Sequence, residues 1–175
     1  MADYDRLREQ AEDDGGDGLV FRSMRMEDIP SIIAIEHEAF TSPWTSDAFA
    51  NELTHNHFAR YMVMQLHGEI IGYGGMWIIM DEAHVTNIAV SGAFRGRKLG
   101  ARLLSELQKL ATFFGATRMT LEVRVSNEIA QSLYRKFGFE PSGIRPGYYS
   151  DNNEDALIMW AELGRGGAEG RAQSQ

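Results

Sequence analysis

"FRGRKLGARLL", Phe94 to Leu104, sets Arg95, Arg97, Lys98 and Arg102 within eight residues of one another in a chain of net charge −8. Just upstream, "NIAV" (Asn87 to Val90) has the composition of a short strand. Downstream, Leu99, Leu103, Leu107, Leu110 and Phe114 repeat along one face of a helix expected over Arg97–Phe114. A strand, a short loop and a basic helix start, whose first N–H groups lack intrahelical acceptors, together make a place for an anion. The same residues also read as a solvated basic helix face, and the pattern alone leaves both readings open. Gly96 and Gly100 fit neither a P-loop nor the G-x-G-x-x-G spacing of a dinucleotide site.

The rest of the chain narrows what the anion belongs to. At 175 residues and 43% hydrophobic composition, one domain with a substantial core is expected. No apolar run reaches the roughly 20 residues that span a bilayer. The start, "MADYDRLREQAEDDGGDG", is acidic where a signal peptide is basic and then apolar, so a soluble, cytoplasmic protein with no membrane partner is expected. There is no cysteine, so any thiol chemistry arrives with a ligand. Residues 1–18 hold seven acids against Arg6 and Arg8, and the tail from Gly164 is Gly-rich. Both ends carry little to bury, which gives a flexible acidic extension over 1–18, a single domain over 19–163 and a flexible tail over 164–175. A broad basic face is missing, so nucleic acid is not an expected partner, whereas a basic peptide suits the charge.

Along the domain, "LVFRSM" reads as a strand and "EDIPSIIAIEHEAF" as a helix. A second short helix is expected from Thr45 or Ser46, either of which can cap "DAFANEL". "FARYMVMQL", the turn "HG" and "EIIGYGGMWIIM" form a hairpin, and "AHVTNIAV" is a further strand. "TRMTLEVRV" alternates, "NEIAQSLYRKFG" is helical up to Gly138, and "EDALIMWAEL" is the last strand. This order predicts an α/β (α+β) fold: a central mixed, mostly antiparallel sheet with helices on both faces.

In "TRMTLEVRV" the alternation sets Met119, Leu121 and Val123 on one face and Thr120, Glu122 and Arg124 on the other. From pattern alone Glu122 is a solvent-facing or Arg-paired strand residue. Tyr134 shares a helical face with Ala130, Leu133 and Phe137, and by itself is a half-buried core tyrosine with its hydroxyl at a rim. His55 and His57 lack an evident third ligand, so no metal site is expected, and His37 and His84 read as structural or exposed.

The succession "NIAV", "RGRKLGARLL", "LEVRVSN" and "LYRKFGF" resembles the acetyl-CoA-dependent N-acetyltransferases of the Gcn5-related superfamily. "SPW" (Ser42–Trp44), "LEVRVSN" (Leu121–Asn127), "GYY" (Gly147–Tyr149) and "EDALIM" (Glu154–Met159) narrow the resemblance to the bacterial ribosomal-protein alanine N-acetyltransferases. It implies the fold of that superfamily, acetyl-CoA as co-substrate without a metal, and a basic ribosomal-protein amino terminus as acceptor; a weak homo-oligomer is compatible with the sequence, which does not establish the oligomeric state. The anion is then the coenzyme A pyrophosphate, held by the backbone of Gly96, Arg97, Lys98, Leu99, Gly100 and Ala101.

Arg95 and Gly100 match the ends of the family pattern Gln/Arg-x-x-Gly-x-Gly/Ala, but Lys98 replaces its first glycine. A right-handed helical backbone would tolerate that exchange. By the same resemblance Ile88, Ala89 and Val90 flank the acetyl and pantetheine arm, and a backbone N–H among them stabilises the oxyanion. Glu122 is the general base, Tyr134 the proton donor to the thiolate, Asn127 a coenzyme A contact, and Trp44, Tyr148 and Tyr149 surround the acceptor. Another amine as acceptor, or a coenzyme A-binding module without turnover, are the alternatives; the latter has no use for Glu122 and Tyr134.

Overall fold

The structure, a computed structural model, describes residues 1–11 and 17–164. It contains helices α1 (Ala2–Ala11), α2 (Ile29–Ala39), α3 (Ser46–Thr54), α4 (Leu99–Phe113) and α5 (Glu128–Lys136). The strands are β1 (Leu19–Ser23), β2 (Ala59–Leu66), β3 (Glu69–Ile79), β4 (Glu82–Val90), β5 (Arg118–Arg124), β6 (Glu140–Tyr149) and β7 (Glu154–Glu162). One seven-stranded sheet runs β1-β2-β3-β4-β5-β7-β6, antiparallel throughout except for the parallel β4–β5 pair. This is the expected mixed sheet. On one face Leu103, Leu104, Leu107 and Leu110 of α4 pack with Met62, Met64, Met119 and Leu121. On the other, Ile32 and Ile35 of α2 and Phe49 of α3 cover Val63 and Tyr73.

Two elements were not in the sequence reading. Residues 2–11, expected within a flexible extension, form α1. Tyr4 is buried there, edge-on to Phe113 at 5.3 Å, and the Asp5 carboxylate accepts from the backbone N–H and the hydroxyl of Ser23. Met1, just before the helix, packs against the same core. The tail beyond Gly164 lies outside the described residues. The second element is β6, whose Pro141, Gly143, Pro146 and Gly147 disguise a strand; it lies at the sheet edge, where missing N–H donors are tolerated.

The feature that shapes the site is in β4. Gly75 pairs with Asn87 but Met76 pairs with Val85, so Thr86 is an inserted bulge residue. The bulge reverses the strand's parity: Ala83 and Val85 join the α4-side core, whereas Ala89 joins the α2-side core. A Cβ on Gly75 would sit 2.0 Å from the Tyr61 ring, so only glycine fits opposite the bulge. Pairing with β5 stops at His84–Thr120, and the C-terminal parts of the two strands separate with no pairing between them.

Candidate active site

The predicted residues lie on both faces of the sheet. Glu122 projects onto the α2 side, opposite Ile158 of β7, with Oε1 3.2 Å from Arg145 Nε. Its side chain is 23% exposed, so water reaches the carboxylate. Tyr134, on α5, rises from the α4-side core against Phe139, at 5.8 Å between rings. Burial pushes its phenol up to about 12, so it stays protonated across the neutral range. Tyr149 is raised to about 12 as well, by burial first and then by Tyr148. Tyr148 stands edge-on to it at 5.1 Å, half exposed.

Two connections tie the β6–β7 turn to β5 and to the α2–α3 loop. Arg124 holds Asp151 at 2.9 Å and Glu154 at 3.2 Å, with its guanidinium 4.0 Å above the Tyr149 ring, which fixes the β6–β7 turn. Thr41 donates to Asp151 at 2.8 Å, tying the α2–α3 loop to that turn. Within the loop, the Trp44 N–H donates to Glu36 Oε1 at 3.0 Å, and Asn87 Nδ2 reaches the same oxygen at 3.4 Å. The buried Glu36 carboxyl, raised by desolvation, thus joins the Trp44 loop to the strand just beyond the bulge. Neither Glu36 nor Arg145 was singled out in the sequence. A glutamate four residues after Ile32 on an apolar helix face was the available signal for the first; Arg145 carried none.

The proposed anion cradle lies at the far end of β4. After a 3-10 turn at Gly92–Phe94, Gly96 has φ +79° and Lys98 φ +60°, ψ +19°, and α4 starts at Leu99 rather than Arg97. Lys98 is therefore left-handed, which corrects the right-handed expectation: the lysine occupies a conformation that favours glycine. Among the described residues no side chain caps α4, and no acid occupies its first turn, so there the N–H groups of Leu99, Gly100 and Ala101 remain for a ligand. A Cβ on Gly96 would meet nothing within 4 Å. Arg95 donates to the Val90 carbonyl, Arg97 stacks on Phe94 at 5.3 Å and Arg102 pairs with Asp17. These observations fit a pyrophosphate. Ile88 and Val90 pack toward the α4-side core while Ala89 faces the other way. Asn127 caps α5, its side chain accepting from the Ala130 N–H at 3.1 Å, which leaves its amide donors for a ligand.

His55 Nδ1 lies 2.8 Å from the Thr54 hydroxyl, and His84 is 3.2 Å from Glu82. Among the described residues no group of three His, Asp or Glu could hold a metal. No described helix is long and apolar enough to cross a membrane.

The chain belongs to the family described as Acetyltransferase (GNAT) family, which it matches over residues 29–139. It is 36% identical over 141 residues to the ribosomal protein bS18-alanine N-acetyltransferase of Escherichia coli (strain K12), covering 78% of this chain and 93% of that one. A Bacillus subtilis (strain 168) protein that carries the same name provisionally is 51% identical over 142 residues, covering 81% and 94%. The crystal structure of the ribosomal-protein-S18-alanine N-acetyltransferase from Escherichia coli superposes with a TM-score of 0.77 at 30% identity, over 86% of this chain and 97% of that one.

Proposed function

We propose that the protein transfers acetyl from acetyl-CoA to the α-amine of an amino-terminal alanine, with a basic small-subunit ribosomal protein, the relatives' bS18, as acceptor. Two observations support this reading: Glu122 is a water-accessible carboxylate on one face of the sheet, and Tyr134 is a buried, protonated phenol in the core on the other. Acetyl-CoA supplies a thioester carbonyl. The amine nitrogen bonds to that carbon, the C–S bond breaks, the surplus amine proton leaves through water to Glu122, and Tyr134 protonates the departing thiolate.

An α-amine has a pKa of roughly 7.7–8.0 against roughly 10.4 for a lysine, so deprotonating it near neutrality costs about 3 kcal/mol less. A carboxylate acting through water is strong enough for the first and poorly matched to the second. A phenol is a weaker acid than a thiol in water, and burial raises both, so the proton passes from Tyr134 as the C–S bond breaks and negative charge builds on sulfur. A backbone N–H in Ile88–Val90, freed by the end of pairing with β5, stabilises the oxyanion.

The test is mass spectrometry of amino-terminal peptides incubated with acetyl-CoA. A free Ala-starting basic peptide is acetylated once, and the same peptide with a blocked α-amine is not, although it contains lysine. Comparable modification of the blocked peptide would transfer the assignment to a lysine acetyltransferase.

A further inference from the structure

An open groove of about 430 Å³ lies between α3, the loop before it and β3, lined by Trp44, Asn51, Glu52, Asn56 and Trp77 among others. Glu52, only 7% exposed, is one of its lining residues. Oε1 accepts from the Trp77 indole N–H at 2.9 Å and the Tyr61 hydroxyl at 3.4 Å, and Oε2 from the Asn56 amide at 2.5 Å. Every one of these donors is neutral. Among the described residues no Lys, Arg or His pairs with Glu52, and none lines the groove. A carboxylate drawn out of water and held by neutral dipoles keeps its negative potential, which a cation entering from solvent can meet. Trp44 and Trp77 add indole surfaces, the strongest aromatic partners for a cation, and side-chain amides complete the lining.

The groove adjoins the acceptor side of the site. Tyr61, which donates to Glu52, also lies 2.9 Å from the hydroxyl of Thr86, the bulge residue. Tyr61 belongs to the α2-side core, so the Thr86 hydroxyl lies on the sheet face onto which Glu122 projects, on the β4 side of the opening that begins beyond the His84–Thr120 pair. Trp44 belongs to the loop that Thr41 ties to the β6–β7 turn next to Tyr148 and Tyr149. A polypeptide whose amino terminus lies at Glu122 can therefore continue toward the groove along one face. We propose that this groove is a cation subsite that takes an arginine or lysine side chain of the acceptor downstream of its amino terminus. The inference rests on the amino-terminal reading above, and adds to it a second place at which the acceptor's sequence is read.

The experiment measures binding of already acetylated, fluorescently labelled product peptides to the full chain by anisotropy, so that turnover is not required. One peptide carries Arg and Lys after its first residue; the other carries citrulline and norleucine at the same positions. The wild type should bind the basic peptide about tenfold tighter, and the margin should shrink as salt rises. Glu52→Gln preserves shape and can still accept from Trp77 and Tyr61; it should lose most of that margin while binding the neutral peptide as before. Trp77→Leu, at the groove rim, should act in the same direction and serves as the test if Glu52→Gln does not fold. Free agmatine should compete only at millimolar concentration; tight agmatine binding that ignores the peptide would make this a free-cation site and overturn the proposal. Equal binding of the two peptides by the wild type, or equal losses for both in the variants, also overturns it. A wild type that acetylates no amino-terminal peptide in the earlier assay refutes the functional reading instead, which keeps the two failures distinct.

Discussion

Replacing Lys98 by glycine separates what the anion cradle owes to backbone shape from what it owes to charge. Lys98 stands at φ +60°, ψ +19° directly before α4. A Cβ in that conformation costs roughly 1–2 kcal/mol. Glycine relieves this but adds about 0.4–1 kcal/mol of unfolded-chain entropy. The side chain makes no hydrogen bond or ion pair among the described residues, so nothing else is lost. The balance favours the variant by about 0.5–1 kcal/mol, and for a chain of this size Tm should rise by about 1–4 °C. If the amides of Leu99, Gly100 and Ala101 hold the phosphates, the acetyl-CoA Kd should stay within about twofold in Lys98→Gly and in Lys98→Gln, which keeps the Cβ and removes the charge. Differential scanning calorimetry and titration calorimetry at low salt read both quantities. A fall in Tm for Lys98→Gly refutes the strain argument. A large loss of affinity for acetyl-CoA but not for acetyl-pantetheine, in both variants, shows that the ammonium binds phosphate and that the backbone alone is insufficient.

Glu122→Gln and Tyr134→Phe should each lower kcat by roughly 10²–10⁴-fold while leaving acetyl-CoA binding nearly intact, and unchanged turnover in both would remove them from the mechanism. Gly75→Ala forces a Cβ into the Tyr61 ring opposite the bulge and should cost about 1–3 kcal/mol, seen as a lower denaturation midpoint at unchanged m. The Ser126 hydrogen bonds, then Arg124, hold the Glu154 carboxyl down to about 2 from its ordinary 4.5. Its stabilising contribution is complete above pH 4.5 and lost as pH falls toward 2, so Glu154→Gln should show a shallower acid-side decline in Tm; an identical decline in both proteins refutes this.

The elements with clear periodicity were legible in the residues: the leucine face of α4, the "HG" hairpin, and the alternation that turns Glu122 away from Met119 and Leu121. What escaped was set by tertiary structure. β6 is strand only because it borders β7, and its prolines and glycines argue locally against it. α1 holds through Tyr4 and Asp5, two residues in a segment whose composition points to solvent. The bulge at Thr86 leaves no local mark, yet it decides that Asn87 meets Glu36 and that β4 parts from β5. The roles of Glu122 and Tyr134 came from family resemblance; pattern alone made one a surface acid and the other a core aromatic. The left-handed turn at Lys98 was missed because lysine carries no conformational signature of its own.

The three residue pairs that join β4 to β5, Glu82–Arg118, Ala83–Met119 and His84–Thr120, make the sheet two blades riveted at one end. A Thr117 N–H bond to the Asp81 carbonyl at 2.7 Å and the Arg118–Glu82 ion pair reinforce the rivet. Beyond it, a donor arm lying along Ile88–Val90 would take the place of the missing rungs. Bound acetyl-CoA would then act as a removable piece of the fold as well as a reactant, adding about 2.7 kcal/mol of stability at a hundred times its Kd. Slowed amide exchange would concentrate in Val85–Val90 and Leu121–Arg124, where the two blades otherwise stand apart.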